Sequence, residues 1–533
     1  MAETLPDVPL PAGDTGRALA RSASIIALGN VLSRLLGLVV YRLKSHYFGS
    51  SGAVSAYETA VIVPVTLYDL LAQGLVSSAL VPVFSDYLER DRRQELSRLV
   101  GTLLALLAVV LAVFVIGVQL AAPAIANLMA PDFSPALLDL LTRLLRILVF
   151  ALFFMSLAAV LSGLLYALKR FTLPALLASL FNFGIIVGVL FLHDQLGVTS
   201  LAAGLLLGAA LQVLVQLPGL RGAHLSLRLG LKLDWHHPGL QQIGRLYVPI
   251  ILGLVISNAS VIISTRLINS TGERSFAWND YATSLMQFPL GLVVTAVSVA
   301  ILPTLSRQAV TSESEFKATL AQGLRLVLAL IIPAVVGMAL LARPITALVY
   351  QSGQFTDADS DVVGLVLRIQ MVGVFFAAVD QPLIFAFYAR KDTLTPALVG
   401  IAGVGLYLFV AWAVSLLRPL TLIDLVVAND AQLAAHALVM LNLFRRRLGG
   451  FGDASVVVTL GRAALASAGM SLLAGAALYG VAALSLAPGL LQRFILVAVP
   501  GGVGLVAYFW LAARLNVAEV AQAVTLVRQR LSL

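Results

Sequence analysis

Arg34, Glu58, Asp69 and Asp280 are charged side chains inside long apolar runs, and the chemistry this sequence offers starts from them. A charge at the centre of a membrane helix costs at least about 2.5–3.5 kcal/mol, so each needs a partner or a water-filled cavity. Polar neighbours accompany them at helical spacing. Ser55, Glu58, Thr59, Thr66, Asp69 and Gln73 recur at intervals that put them on one helix face. Asp280, Ser284, Gln287, Thr295 and Ser298 make a matching stripe later in the chain. Asn258 and Arg266 share a sector of the preceding run, and Arg368 and Asp380 form a wider pair further on. For the hydroxyl and amide residues the alternative is an interhelical hydrogen-bond seam, worth about 0.6 kcal/mol per contact. Arg42 and Arg266 have the alternative of snorkelling to the outer interface. The candidate cavity set is Arg34, Ser55, Glu58, Thr66, Asp69, Gln73, Asn258, Arg266, Asp280, Ser284 and Gln287.

Other chemistries are excluded by what is missing. There is no cysteine, which removes disulfides, thiol nucleophiles and cysteine-based metal sites. The six histidines show no metal-ligand spacing, and His236-His237 falls in a polar loop. No GxxxxGK[ST] phosphate loop is present, so energy must come from an ion gradient, the membrane potential or the substrate gradient. No catalytic residue, cofactor or metal is expected. Gly204 and Gly208 form a GxxxG pair that reads as close helix packing.

The elements that position these residues follow from composition. Of 533 residues, 60% are hydrophobic and 11% charged, with mean hydropathy +0.97. Uncharged runs such as Leu99 to Pro131 and Ala463 to Gln492 exceed the roughly 20 residues a bilayer requires. The chain therefore reads as an all-α polytopic membrane protein. Fourteen spans are expected, near 23–43, 54–84, 98–121, 138–167, 174–193, 199–220, 243–268, 277–305, 318–342, 361–388, 393–417, 420–444, 456–482 and 488–513. Residues 1–22 form a polar tail. Residues 514–533, with Val517, Val520, Val524, Val527 and Leu531 at helical spacing, read as an interfacial amphipathic helix. The net charge of +9 lies in the loops, which favours positive-inside topology over nucleic-acid binding. Twenty-one Lys and Arg fall on the side of Arg17, Arg90, Lys169, Lys391 and Arg445, against five (Arg42, Lys44, Arg274, Arg343, Arg418) opposite. Both termini are expected in the cytoplasm.

The chain also repeats itself. YALKRFTLPAL at 166–176 and YARKDTLTPAL at 388–398 match at an offset of 222. Phe133 and Phe355 share that offset, and Pro82 and Pro303 stand 221 apart. Period detection precedes other readings, and here it gives two parallel six-helix repeats. These are an N-lobe at 23–220 and a C-lobe at 243–447, joined by a linker at 221–242 and followed by two more helices within 448–513. Bilobed proteins of this plan bind cargo at midplane and rock one lobe against the other.

Several motifs together carry a resemblance. They are SRLLG at 33–37, YFGSSG at 47–52, AQGLVSSALVPVFSDY at 72–87 and LKRFTLPAL at 168–176. LMQFPLGL at 285–292, ILPTLSR at 301–307, YQSGQFT at 350–356 and FYARKDTLTP at 387–396 continue it. The chain resembles the MurJ/MviN lipid II flippases of the multidrug/oligosaccharidyl-lipid/polysaccharide exporter superfamily. The resemblance implies a bilobed flippase of the bacterial cytoplasmic (inner) membrane that takes an undecaprenyl-pyrophosphate-linked peptidoglycan precursor to the outer leaflet. Its partners would be membrane lipids and cell-wall synthesis proteins, and the last two helices would form a groove for the polyprenyl tail. Of the family's charged cavity positions, Arg34 alone keeps a charge. The others fall on Val40, Ser55, Ile62, Tyr68, Gln73, Thr283, Ser284 and Gln287. A mildly polar cavity is expected. Three alternatives stay open: a flippase for another lipid-linked oligosaccharide, a cation-coupled multidrug exporter, and a non-transporting cell-wall scaffold.

Overall fold

The computed structural model describes residues 13–72, 76–221, 237–451, 455–484 and 487–520; side chains at 13–27, 70–72, 77–78 and 246–259 lie outside the described set. Every described element is helical. In hydrocarbon, backbone groups must be satisfied within their own segment, and apolar runs of this length can do so only as helices. Among the described residues, eleven helices are long and apolar enough to span a bilayer. They coincide with eleven of the fourteen expected spans; the other three, near 23–43, 54–84 and 243–268, include side chains outside the described set.

Two compact units divide the chain at residues 269 and 270. The first contains α1 (Gly13–Phe48), α2 (Gly52–Ala72), α3 (Val81–Glu89), α4 (Arg93–Met129), α5 (Pro135–Ala167), α6 (Thr172–Ala175), α7 (Leu177–Leu196), α8 (Thr199–Gln216) and α9 (Pro238–Ser270). At its centre is α5, which packs on α2, α4 and α8, while α7 packs on α8 and α1. Leu141, Leu144, Leu148, Ala151 and Met155 of α5 are buried in one cluster with Ala56, Ala60, Leu201 and Leu205.

The second unit contains α10 (Ser275–Pro289), α11 (Ala296–Thr311), α12 (Glu313–Leu340), α13 (Ala342–Tyr350), α14 (Asp357–Ala389), α15 (Leu394–Ser415), α16 (Leu422–Leu448), α17 (Ser455–Ala483) and α18 (Leu490–Arg514). Here α14 is central and packs on α10, α12 and α16, with α15 on α16. In this pattern α10, α12 and α16 take the places that α2, α4 and α8 hold around α5. Thr356 and Thr421 open α14 and α16 with reciprocal capping boxes to Asp359 and Asp424.

The repeat extends to individual hydrogen bonds. After α5, Lys169 N–H donates to Tyr166 O and Arg170 N–H to Leu165 O; after α14, Lys391 N–H donates to Tyr388 O and Asp392 N–H to Phe387 O. Lys169 and Lys391 have φ of 59° and 61°, a left-handed conformation that costs a non-glycine residue roughly 1–2 kcal/mol. Lys169→Gly and Lys391→Gly should therefore each raise the melting temperature of the purified protein; a fall would show that the lysine side chain stabilises the turn by more than the strain. In the second copy Asp392 accepts from the Thr395 hydroxyl at 2.7 Å and amide at 3.0 Å, and from Arg447 at 2.7 Å. The Thr395 bonds first, then Arg447, hold its carboxyl below the usual range.

Beyond the repeat, α17 and α18 pair closely, α17 packs on α12, and α18 packs on α13. The chain turns after α18 at Asn516 (φ 53°) and inserts Val517 and Val520 among Ala329, Ala466, Met470, Tyr508 and Ala512. Arg325 of α12 pairs with Glu519 at 2.9 Å and donates to Ser455 Oγ at 2.6 Å. Arg462 of α17 donates to Asn516 O at 2.8 Å. The first two valines of the expected interfacial stripe thus face protein; residues 521–533 lie outside the described residues.

Candidate functional site

Helices α1, α2, α5, α6, α7 and α8 of the first unit line an open cavity of about 540 Å³. Its polar lining is Ser33, Tyr68, Asp69, Ser162, Tyr166, Asn182 and Gln212, set among Val65, Met155 and Phe181. Asn182 donates to Ser33 O at 2.9 Å and Ser33 Oγ at 3.3 Å, and so ties α7 to α1. Gln212 donates to Leu177 O at 2.9 Å, and Ser162 donates to Gln216 Oε1 at 2.9 Å. These bonds fix the lining on rigid helices. Among the described residues lining it there is no Lys or Arg and one carboxylate, Asp69. Such a surface can hydrogen-bond hydroxyl and amide groups and offers no bidentate clamp for a phosphate.

The other candidates are dispersed. Arg34 follows Ser33 and is exposed. Ser55 is fully buried, and Thr66 is half-buried. Glu58 pairs with Lys44 of α1 at 2.5 Å. Arg266 of α9 donates to Leu128 O at 2.7 Å, where α4 ends and its carbonyls lack partners within the helix. Asn269 reinforces that junction through Met129 O at 3.1 Å and the Thr59 hydroxyl at 3.0 Å. In the second unit Asp280 is half-buried and Gln287 exposed, while the Ser284 hydroxyl meets Tyr350 Oη at 2.5 Å. Tyr350 is buried against Tyr281 and Phe355, so the YQSGQFT motif closes an aromatic cluster. Gln73 and the side chain of Asn258 lie outside the described residues.

Sequence reasoning missed Asn182 and Gln212; the spacings that could have found them are Ser179–Asn182 on α7 and Gln212–Gln216 on α8, three and four residues apart and so on one helix face. It also paired Arg368 with Asp380. Twelve residues of helix separate these by about 18 Å, and the structure gives each another partner: Arg368 Nε donates to Ala339 O at 3.1 Å, and Asp380 meets His436 at 2.7 Å.

A second concavity lies in the second unit. Leu330, Pro333, Gly337, Leu341 and Ile345 of α12 and α13 face Met470, Ala474, Pro500, Gly501, Gly504 and Tyr508 across a groove of about 330 Å³. Apart from the Tyr508 hydroxyl, which donates to Ala329 O, its side chains are apolar.

The family model described as lipid II flippase MurJ matches residues 44–499. The chain belongs to the lipid II flippase MurJ family. Relatives include the lipid II flippase MurJ of Burkholderia cenocepacia, 30% identical over 398 residues that cover 72% of this chain and 76% of that one. The probable lipid II flippase MurJ of Haemophilus influenzae is 30% identical over 395 residues, 70% and 76% of the two chains. Among solved structures, a lipid II flippase MurJ in an inward closed conformation superposes with a TM-score of 0.74 at 22% identity, covering 92% of this chain and 99% of that one. An inward-facing multidrug resistance MATE family transporter of the MOP superfamily gives 0.66 at 14% identity, covering 79% and 95%. The MurJ and MATE matches share the helical fold, and the family assignment rests on the sequence match.

Proposed function

We propose that this chain is a flippase that moves a polyprenyl-pyrophosphate-linked cell-wall precursor, lipid II, across the bacterial cytoplasmic membrane by alternating access. The observation that carries this reading is the apolar groove that α17 and α18 complete against α12 and α13. A sugar–peptide–pyrophosphate head cannot cross about 30 Å of hydrocarbon unaided, whereas a polyprenyl tail has no reason to leave it. A transporter for such a cargo needs a polar passage and an apolar rail, and the two helices beyond the repeat supply the rail. The N-lobe, residues 23–220, contributes hydroxyl, amide and carboxylate groups through Ser33, Asp69, Asn182 and Gln212. Arg34 adds the cation that the cavity wall lacks. The C-lobe, residues 243–447, completes the rocking pair. Both termini lie in the cytoplasm, and the head group is held chiefly by hydrogen bonds.

The test fills the groove. A Cβ on Gly501 would come no nearer than 3.8 Å to the Leu341 side chain, so Gly501→Ala should be silent. Gly501→Phe should occupy the space of the tail and lower rescue of a flippase-depleted bacterium at least about tenfold, a cost of ~1.4 kcal/mol in cargo binding. The protein level in the membrane should stay unchanged. Full rescue by Gly501→Phe would remove the groove from the reading, and failure of the wild-type chain to rescue would remove lipid II itself.

A further inference from the structure

The α14–α16 seam buries two carboxylates, Asp430 and Asp380, beside the half-buried His436, and the transport reading uses none of them. Asp430 of α16 is 6% exposed, and both its carboxyl oxygens are without a hydrogen-bond partner among the described residues. It packs against the backbone of α14 at Gly373, where an added Cβ would stand 2.2 Å from its Oδ1. Two turns along α14, Asp380 is 7% exposed and its Oδ2 lies 2.7 Å from His436 Nδ1, while its Oδ1 has no partner. The other ring nitrogen, Nε2, lies 3.4 Å from Pro396 O.

Counting protons on these atoms decides what the seam holds. A carbonyl can only accept, so His436 Nε2 carries a hydrogen. Nδ1 lies 2.7 Å from a carboxyl oxygen of Asp380, a spacing at which the pair can hold one proton on either atom. Asp430 has the Gly373 backbone beside it and no cation among the described residues, and a buried carboxylate without a countercharge takes up a proton in preference to remaining charged. Both stations can therefore hold a titratable proton. Among the described residues their surroundings supply no countercharge. From α15 comes Tyr407, the single ionisable side chain of that helix, and α16 adds Asp424, bonded to Thr421 and Arg418. On α14, Arg368 is turned to Ala339 O. Of the other helices packed on α14, Arg343 pairs with Asp357 and Asp361, Arg325 with Glu519 and Lys317 with Glu313. Arg307 of α11 is exposed, and Asp280 of α10 is half-buried.

We propose that the α14–α16 seam is a proton-binding site in which Asp430 is the loaded acid and the Asp380–His436 pair is the second station. Opening the seam to water would let Asp430 release its proton, and closing it would require the proton back. Through that exchange the conformational cycle is tied to the proton gradient. Glycine at 373 lets the acid lie directly on the α14 backbone, so the loaded form is the one that packs. The coupling rests on the flippase reading, whereas the protonation does not.

Infrared spectroscopy of the purified full-length protein, titrated across neutral pH without cargo, tests the protonation. The carbonyl-stretch band of a protonated carboxylic acid should be present at neutral pH and disappear in Asp430→Asn. His436→Gln should move its pH midpoint by at least about one unit, tenfold in proton affinity. Gly373→Ala, which displaces the carboxyl, should shift the band and serves if Asp430→Asn does not fold. A band that survives Asp430→Asn, or one already absent from wild type, overturns the proposal. Loss of the band on adding sodium at constant pH also overturns it, because the occupant would then be a metal cation. In vesicles, wild-type cargo movement should follow an imposed pH gradient and that of Asp430→Asn should ignore it. Wild-type vesicles that move no lipid II while the band behaves as stated would refute the flippase reading and leave the proton site standing.

Discussion

Replacing Gly204 with leucine is expected to abolish accumulation of the folded protein. α7 and α8 cross with backbone against backbone. A Cβ on Gly184 would stand 2.3 Å from Gly208 Cα, and one on Gly188 would stand 2.4 Å from Gly204 Cα. One on Gly204 would meet Gly184 O at 2.7 Å. None of these atoms is the free end of a side chain, so the helices themselves would have to separate. Even a methyl group in such a contact costs about 1–3 kcal/mol. Gly204→Ala should lower membrane levels and Gly204→Leu should eliminate them. Gly461, with nothing within 4 Å of its added Cβ, should accept leucine at wild-type level. Immunoblotting of membranes and size-exclusion profiles read the result, and a Gly204→Leu protein that elutes like wild type would show that the crossing is not needed.

The second large effect is expected at the Lys44–Glu58 pair. Its partners lie 2.5 Å apart with side chains 3% and 15% exposed, and the Lys44 ammonium also stands 4.1 Å from the centre of the Tyr41 ring. Removing one member of a little-exposed ion pair costs about 3–5 kcal/mol, whereas replacing both with apolar groups is often neutral. Glu58→Gln and Lys44→Met should each lower the melting temperature sharply, and the double variant Lys44→Met/Glu58→Leu should recover most of it. If Glu58→Gln melts like wild type yet no longer rescues flippase-depleted cells, the carboxylate belongs to transport and the pair is not a fold element.

What the sequence revealed depended on whether a signal was local. The offset of 222 predicted matching turns, and Lys169 and Lys391 share even an unfavourable backbone conformation. Asp69 was visible because a carboxylate in an apolar run demands compensation, and it does line a cavity. The partner of Glu58 was hidden because the first span was drawn to end at residue 43. The helix runs on to Phe48 and carries Lys44 inward with it. Asn182 and Gln212 bond to atoms contributed by other segments, and those partners cannot be read from spacing within their own helices. Asp380 could be matched within its helix only to Arg368, whereas its partner His436 stands 56 positions away on α16.

The junction after α18 has a consequence for the order of assembly. Val517, Glu519 and Val520 complete a cluster that includes Tyr508 and Met470, two residues of the groove wall. Arg325 waits nearly two hundred residues of synthesis for Glu519. The groove is therefore finished only after the repeat has already been made. A nascent chain stalled inside α18 would hold both copies of the repeat and still lack one wall of the groove. On the reading proposed above, such a chain would have no place to seat a lipid tail.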